Sequence, residues 1–291
     1  MMAVAMMLLM GIAVIAWGYI SSEREAYTNN IAPRHIVSVL DPAKTRVNIS
    51  QDTAVQIIKE KGFQPKDARI RLMEAKDWGK IYWEIKWYEK NIVSFKIDAD
   101  NGEIIGMDNF GCYEKDIKNV TANNAVEIAL QKLEAFIDIP ENLGEASLEI
   151  KNITYGKIFS IIWKQEMEGI PVENGFLKVK MDPAGNILSF RKIWHSIDII
   201  IAPTIKKEEA IDISKGISKE LPEILQERIE KAKKIDARLV IKRPTNFLNK
   251  SKPVYEDYSL LWCVVFSNSE GAVEIQIDAH SGEWVGIDFT K

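Results

Sequence analysis

The sequence predicts an α+β protein: three tandem units, each a helix packed on an antiparallel sheet, following an N-terminal transmembrane helix. Three observations carry that expectation. A strand–turn–strand pattern recurs at IVSFKIDADNGEIIGMD (Ile92 to Asp108), FLKVKMDPAGNILSF (Phe176 to Phe190) and AVEIQIDAHSGEWVGID (Ala272 to Asp288). Recurrence on this scale marks copies of one supersecondary unit. Apolar residues at helical spacing lead into each copy, and residues 1–20 hold no charged side chain at all.

As a helix, the opening MMAVAMMLLMGIAVIAWGYI is about 30 Å long, the thickness of a bilayer's hydrocarbon layer. Trp17 and Tyr19 fall where aromatic side chains favour the membrane interface. No basic region precedes the stretch and no good small-residue cleavage site follows it, so an uncleaved anchor at 1–20 is expected rather than a signal peptide. The rest of the chain is then expected outside the cytoplasm. Residues 21–47, polar and carrying Pro33 and Pro42, read as a stalk or linker.

The first unit is expected over 48–110. Ser50 or Asp52 can cap a helix containing Ala54, Val55, Ile57 and Ile58, which Gly62 ends. Ala68 to Ala75 and Ile81 to Asn91 alternate as strands, with Ile81, Trp83, Ile85 and Trp87 on the buried side. The second unit, 111–203, opens with a helix expected to be capped by Thr121 and carrying Ala125, Val126, Ile128, Ala129, Leu130 and Leu133. A strand over Ser147 to Tyr155 and the long stretch from Phe159 to Trp194 follow. The third unit, 204–291, starts with KKEEAIDISKGISKEL and adds a second helix behind Pro222. Strands at Ala237 to Arg243 and YSLLWCVVF then lead to the last hairpin.

Aligning the three copies sets Trp83, Trp163 and Trp262 in equivalent strands, Asp98, Asp182 and Asp278 at the head of each turn, and Gly102, Gly185 and Gly282 where the turn needs positive φ. The aspartates are expected to accept from backbone N–H groups of their turns, and the indoles to fill the space between helix and sheet.

Composition narrows the function. Hydrophobic residues make up 46% and charged residues 27% of the 291, a folded protein's profile. The net charge of −4, with basic residues interleaved among acids, gives no nucleic-acid stripe. Two cysteines, Cys112 and Cys263, make no disulfide framework; Cys263 sits in an apolar strand, where a buried thiol is the plainer reading, and one disulfide between the two is the alternative. Asp98, Asp100 and Glu103 look superficially like a calcium loop, but glycine comes fifth rather than sixth and the other copies lack the extra acid, so a turn is expected. His35, His195 and His280 lie apart, without metal-ligand spacing. No nucleophile elbow or phosphate-binding glycine loop occurs, so no catalytic, cofactor-binding or metal-ligating residue is assigned. Sequons stand at Asn48, Asn119, Asn152 and Asn249, acceptors only if the domain faces a glycosylating compartment.

ISQDTAVQIIKEKG with FKIDADNGEIIGMD, and EEAIDISKGISK with LLWCVVF and IQIDAHSGEWVGID, resemble the PepSY domain. The middle stretch IIWKQEMEGIPVENGFLKVKMDPAGNILSFRKIW is similar to the related YcdB/YcdC and metallopeptidase-propeptide type, with its G-I-P-V turn. The resemblance implies secreted or membrane-anchored proteins that inhibit peptidases or regulate activity near the cell surface. No peptidase domain or zinc motif follows in this chain. The expectation is therefore a non-enzymatic, membrane-anchored extracytoplasmic binding or regulatory protein without a cofactor. It would modulate a peptidase or envelope protein, and exposed strand edges could take an extended peptide. The alternative is a structural or sensor ectodomain coupled to a membrane partner.

Overall fold

The computed structural model describes residues 37–75, 79–89, 92–114, 117, 119–153, 156–245, 257–269 and 271–290. Strands β1 (Val37–Leu40), β2 (Arg69–Ala75), β3 (Lys80–Tyr88), β4 (Ile92–Asp98) and β5 (Ile104–Asn109) surround helix α1 (Gln51–Glu60) in the chain. Helix α2 (Ala125–Leu133) precedes β6 (Leu143–Ile153), β7 (Gly156–Met167), β8 (Ile170–Met181) and β9 (Ile187–Ile193). Helices α3 (Lys207–Ser218) and α4 (Glu223–Glu230) precede β10 (Lys234–Lys242), β11 (Ser259–Asn268), β12 (Gly271–Asp278) and β13 (Trp284–Thr290).

This architecture corrects the expected one. Among the described residues the protein is mostly β: thirteen strands join one curled sheet, and the four α-helices are only 8 to 12 residues long. The α+β arrangement of three separate helix-on-sheet units is not what forms. No helix among the described residues is long and apolar enough to cross a membrane. The anchor expected at 1–20 lies outside the described residues, as do His35 and Asn249. Part of the expected stalk is also sheet, because β1 pairs antiparallel with β2 from Val37↔Ala75 to Leu40↔Leu72.

The reason for one sheet is the hairpin edge. A terminal hairpin strand leaves a row of unpaired N–H and C=O groups. The outer edges of β5 and β9 satisfy each other through Gly106↔Arg191, Met107↔Phe190 and Asp108↔Ser189. Gly106 permits the approach, since a Cβ there would stand 3.2 Å from the Phe190 carbonyl oxygen. One core then runs beneath both sets of strands, with Ala54 and Ile58 of α1 and Ala125, Ala129 and Leu133 of α2 packed on Trp83, Phe95, Met107, Leu177 and Phe190. A second core lies under β11–β13, with Ala210, Leu225 and Ile229 on Val264, Phe266, Ile275 and Ile277. The two blocks meet where β8 and β10 pair in parallel at Ile241↔Val172.

A local clamp recurs three times. Consecutive backbone N–H groups ahead of each helix donate to one carbonyl in the hairpin turn: Asn48 and Ile49 to Ala99 (3.1 and 3.0 Å), Asn119 and Val120 to Pro183 (2.9 Å each), Thr204 and Ile205 to Ala279 (2.9 Å each). The turn aspartates cap the same loops as expected: Asp98 accepts from Asp100 N, Asp182 from Asn186 N, and Asp278 from His280 N and Ser281 N. The indoles of Trp83 and Trp262 donate to Ile49 O and Ile205 O, both at 2.8 Å, tying strand to helix entrance. Ser50 caps α1 through Thr53 N at 3.1 Å. The cap expected at Thr121 does not form: the N-cap position falls at Asn124, which makes no side-chain cap bond and whose Oδ1 instead accepts from Thr121 N at 2.7 Å, so a turn precedes the first helical residue, Ala125.

Candidate binding face

Alternation along a strand sends every second side chain to the face away from α1 and α2. On β3, β4, β5, β8 and β9 those positions hold charged residues. The register lines them into two transverse rows. One row runs Arg71, Glu84, Lys96, Gly106, Arg191, Lys178. The next runs Arg69, Lys86, Ser94, Asp108, Ser189, Lys180, Ser160, Glu149. Together the rows hold seven bases (Arg69, Arg71, Lys86, Lys96, Lys178, Lys180, Arg191) and three acids (Glu84, Asp108, Glu149). On a chain of net charge −4 this face is locally basic.

The three acids are already engaged. Arg71 pairs with Glu84 at 3.4 Å, Lys96 with Asp108 at 3.0 Å, and Lys151 with Glu149 at 3.3 Å. Lys178, Lys180 and Arg191 stand close together on β8 and β9. Lys178 lies directly opposite Arg191, and its ammonium falls to about 8, first by burial and then through Lys180 and Lys151. Lys180 is pushed down as well, chiefly by burial. Tyr82, beside the rows, has its phenol pushed up by burial and by Glu84. The apolar patch flanking the rows consists of Met73, Ala75, Tyr82, Ile105, Ile193 and Phe176, every one from a strand. Although this is the face away from the helices, Lys96, Ser94 and Ser160 are only 8%, 5% and 3% exposed. Ser160 Oγ has no hydrogen-bond partner, and neither has Arg71 Nε.

The residues singled out from the sequence lie elsewhere. Asp98 pairs with Lys80 at 2.7 Å, Asp100 accepts from Asn48 Nδ2, and Glu103 pairs with Lys192, so the three acids of the calcium-like turn point to three separate donors. Among the described residues no group of three or more His, Cys, Asp or Glu is placed to hold a metal. A surface recess of about 430 Å³ beside Asp98 is lined by Arg46, Asn48, Gly79, Lys80 and Asp100; within it Lys80 pairs with Asp98 and Asn48 donates to Asp100. Both cysteines are free thiols. Cys263 is buried with Val240 and Leu261, and Cys112 donates to Asn109 O while burial pushes its thiol up to about 11. His280 stays in its turn with Nε2 3.0 Å from Ile200 O, so no Cys263–His280 pair forms.

Two polar sites were not foreseen. Lys242, 2% exposed on β10, bridges Glu173 of β8 at 3.0 Å and Glu274 of β12 at 3.1 Å. His195 packs its ring on Tyr258 with centroids 4.8 Å apart, and its Nε2 has no partner. In the sequence alone the bases of this face stand interleaved with acids. Its signal was the alternation: Lys178, Lys180 and Arg191 all sit at polar positions of adjacent strands, which becomes a stripe only once the β8–β9 register is known.

The model of a family described as YcdB, YcdC repeated domain matches residues 43–194, just over half of the chain. That stretch runs through β2–β9 and so contains both rows. The solved Bacillus megaterium YpeB C-terminal domain is similar at 19% identity, covering 85% of this chain and 100% of that one, with a TM-score of 0.41. A search of the curated proteins returns no match.

Proposed function

Since the chain belongs to the YcdB and YcdC repeated-domain family, of PepSY-like type, we propose that it is a non-catalytic binding and regulatory protein that holds a partner on the β2–β9 face away from its helices. The observation that carries this reading is Lys178 set opposite Arg191 with Lys180 close by. Like charges directly across a ladder are destabilising. A fold that carries such a pair in a half-buried row gains from an oppositely charged surface docking there. The partner class inferred from the family resemblance is a peptidase or another envelope protein, whose activity the bound domain modulates.

The test is capture of partners from native extracts with the full chain and with the Lys178→Glu, Arg191→Glu double variant as paired baits. A protein retained by the first and lost by the second supports the reading. If that protein is a peptidase, its activity should fall when the native chain is added. Identical captures by both baits would sink the assignment to this face.

A further inference from the structure

We infer that the outer edge of β6 is a self-association site, where a second copy of this chain pairs antiparallel with the first about a two-fold axis at Ile150. The inference stands on the strand edge alone and is independent of the face proposed above. Among the described residues three strands have a sheet neighbour on one side only: β1, β6 and β13. β1 is four residues long, and on β13 the Ile287 N–H is already taken by Thr245 O at 2.7 Å. β6 is eleven residues long and pairs with β7 alone. Its other edge offers backbone N–H and C=O groups to an incoming strand.

The side chains decide which strand fits. In an antiparallel pair made by a two-fold axis, one residue lies opposite its own copy and the rest pair symmetrically about it. Glu149 and Lys151 share one face of β6, and the exposed Ile150 points to the other. Centring the pair on Glu149 or on Lys151 sets like charges opposite each other, which is destabilising. Centring it on Leu148 carries it into the bulge between Leu143 and Ala146. Centred on Ile150, the pairing runs from Ser147 to Ile153, clear of the bulge. Glu149 then faces Lys151 of the second copy, Lys151 faces its Glu149, and Ile150, 41% exposed in one copy, meets its own copy. Glu149 and Lys151 lie 3.3 Å apart within one chain, so four charges alternate in sign around the axis. The charges that reject the neighbouring registers specify this one.

A second β6 therefore supplies the complement of both charges, which an arbitrary extended peptide does not. The ladder is short beside a standard protein interface, so the expected association is weak, with a Kd on the order of 10 µM. The axis stands normal to the sheet and turns the same face of both copies to one side. A partner carrying two matching sites then engages both copies at once, at an affinity neither copy reaches alone.

The test is sedimentation velocity of the full chain from about 1 to 100 µM. It is run in a mild detergent because residues 1–20 carry no charge. The expected result is a monomer–dimer equilibrium that Glu149→Lys alone and Lys151→Glu alone each weaken about tenfold or more. Mixing the two single variants should restore it, since one copy then brings two cations to the edge and the other two anions. The internal Glu149–Lys151 pair is missing from both, so a repaired fold does not account for the recovery. On mild oxidation Ile150→Cys should link two chains and Glu149→Cys should not, because facing residues stand about 5 Å apart at Cα while Glu149 and its copy are offset to about 8 Å. The parent chain, with Cys112 partly buried and Cys263 buried, is the control. Circular dichroism confirms that each variant is folded. A monomer throughout the range gives the edge to a foreign strand or to another part of this chain and overturns the inference. So does a dimer indifferent to both charge variants, no recovery on mixing, or equal cross-linking at positions 149 and 150.

Discussion

Lys178 and Arg191 are direct cross-strand partners in the β8–β9 ladder, two cations where an antiparallel sheet gains most from opposite charges. Lys178→Met should therefore stabilise the protein by up to about 1 kcal/mol at neutral pH while weakening partner binding. The sign with pH is fixed. The folded value near 8 lies below the ordinary 10.5, so below pH 8 the group is charged in both states and burdens the fold in full. Between 8 and 10.5 the unfolded chain holds more protons and native stability rises with pH. Urea melts of the two proteins should converge across that interval.

His195 gives the opposite end of the pH scale. Burial, then Arg243, lowers its imidazole to about 4 from 6.5, and its Nε2 has no partner to welcome a proton. Between 6.5 and 4 the unfolded chain binds the proton and the native chain does not, so stability falls as pH falls through that window. His195→Gln should flatten this part of the stability profile relative to the parent, measured by thermal melts at matched ionic strength. An unchanged slope would contradict the buried neutral imidazole.

Gly102 illustrates what the turn demands. Its φ is +80°, and an added Cβ would meet Ile57 Cδ1 of α1 at 3.1 Å. Gly102→Ala should cost about 1–2 kcal/mol from the left-handed backbone alone. Gly62→Ala, also at positive φ (+88°) but with nothing within 4 Å, isolates the backbone share. The difference between the two variants in chemical denaturation reads the contact with the helix.

Lys242 is a buried cation whose removal is costly. Burial alone would lower its ammonium, but Glu274 and Glu173 outweigh burial and raise it. Glu274, 13% exposed at its side chain, is drawn down by the same lysine against its own burial. Lys242→Met removes the buried cation between Glu173 and Glu274 and leaves Glu274 only the more exposed Arg238 and Gln276, so it should cost up to about 3 kcal/mol. Adding Glu274→Met should recover much of the loss, because an apolar pair of similar volume needs no partner. A denaturation series of the single and double variants measures this coupling.

The strands and turns of this protein were largely legible in its sequence, because period-two alternation and Asp/Gly turn chemistry act within a few residues. Asp98, Asp182 and Asp278 cap their turns as their spacing suggested, and the resemblance to YcdB/YcdC and PepSY-like repeats holds over residues 43–194. How the strands assemble was not legible. Nothing in the local pattern says that Gly106 will admit Phe190 and Arg191 of another hairpin, or that Val172 will pair with Ile241. The binding face depends on that assembly. Lys96 and Lys178 are 82 positions apart in the chain and share one row only because β5 pairs with β9.

The seam between β8 and β10 has a mechanical consequence. The hydrophobic blocks on either side are knitted by long antiparallel ladders, whereas across the seam the registered pairing is Ile241↔Val172, reinforced by Lys242 with Glu173 and by a small apolar cluster. Tension drawing the two blocks apart runs across the strands, so the bonds of the seam are loaded one after another instead of together. Under such a pull the molecule parts at Val172 and Ile241 while each core stays folded, lengthening by a defined step and able to close again when the load is released.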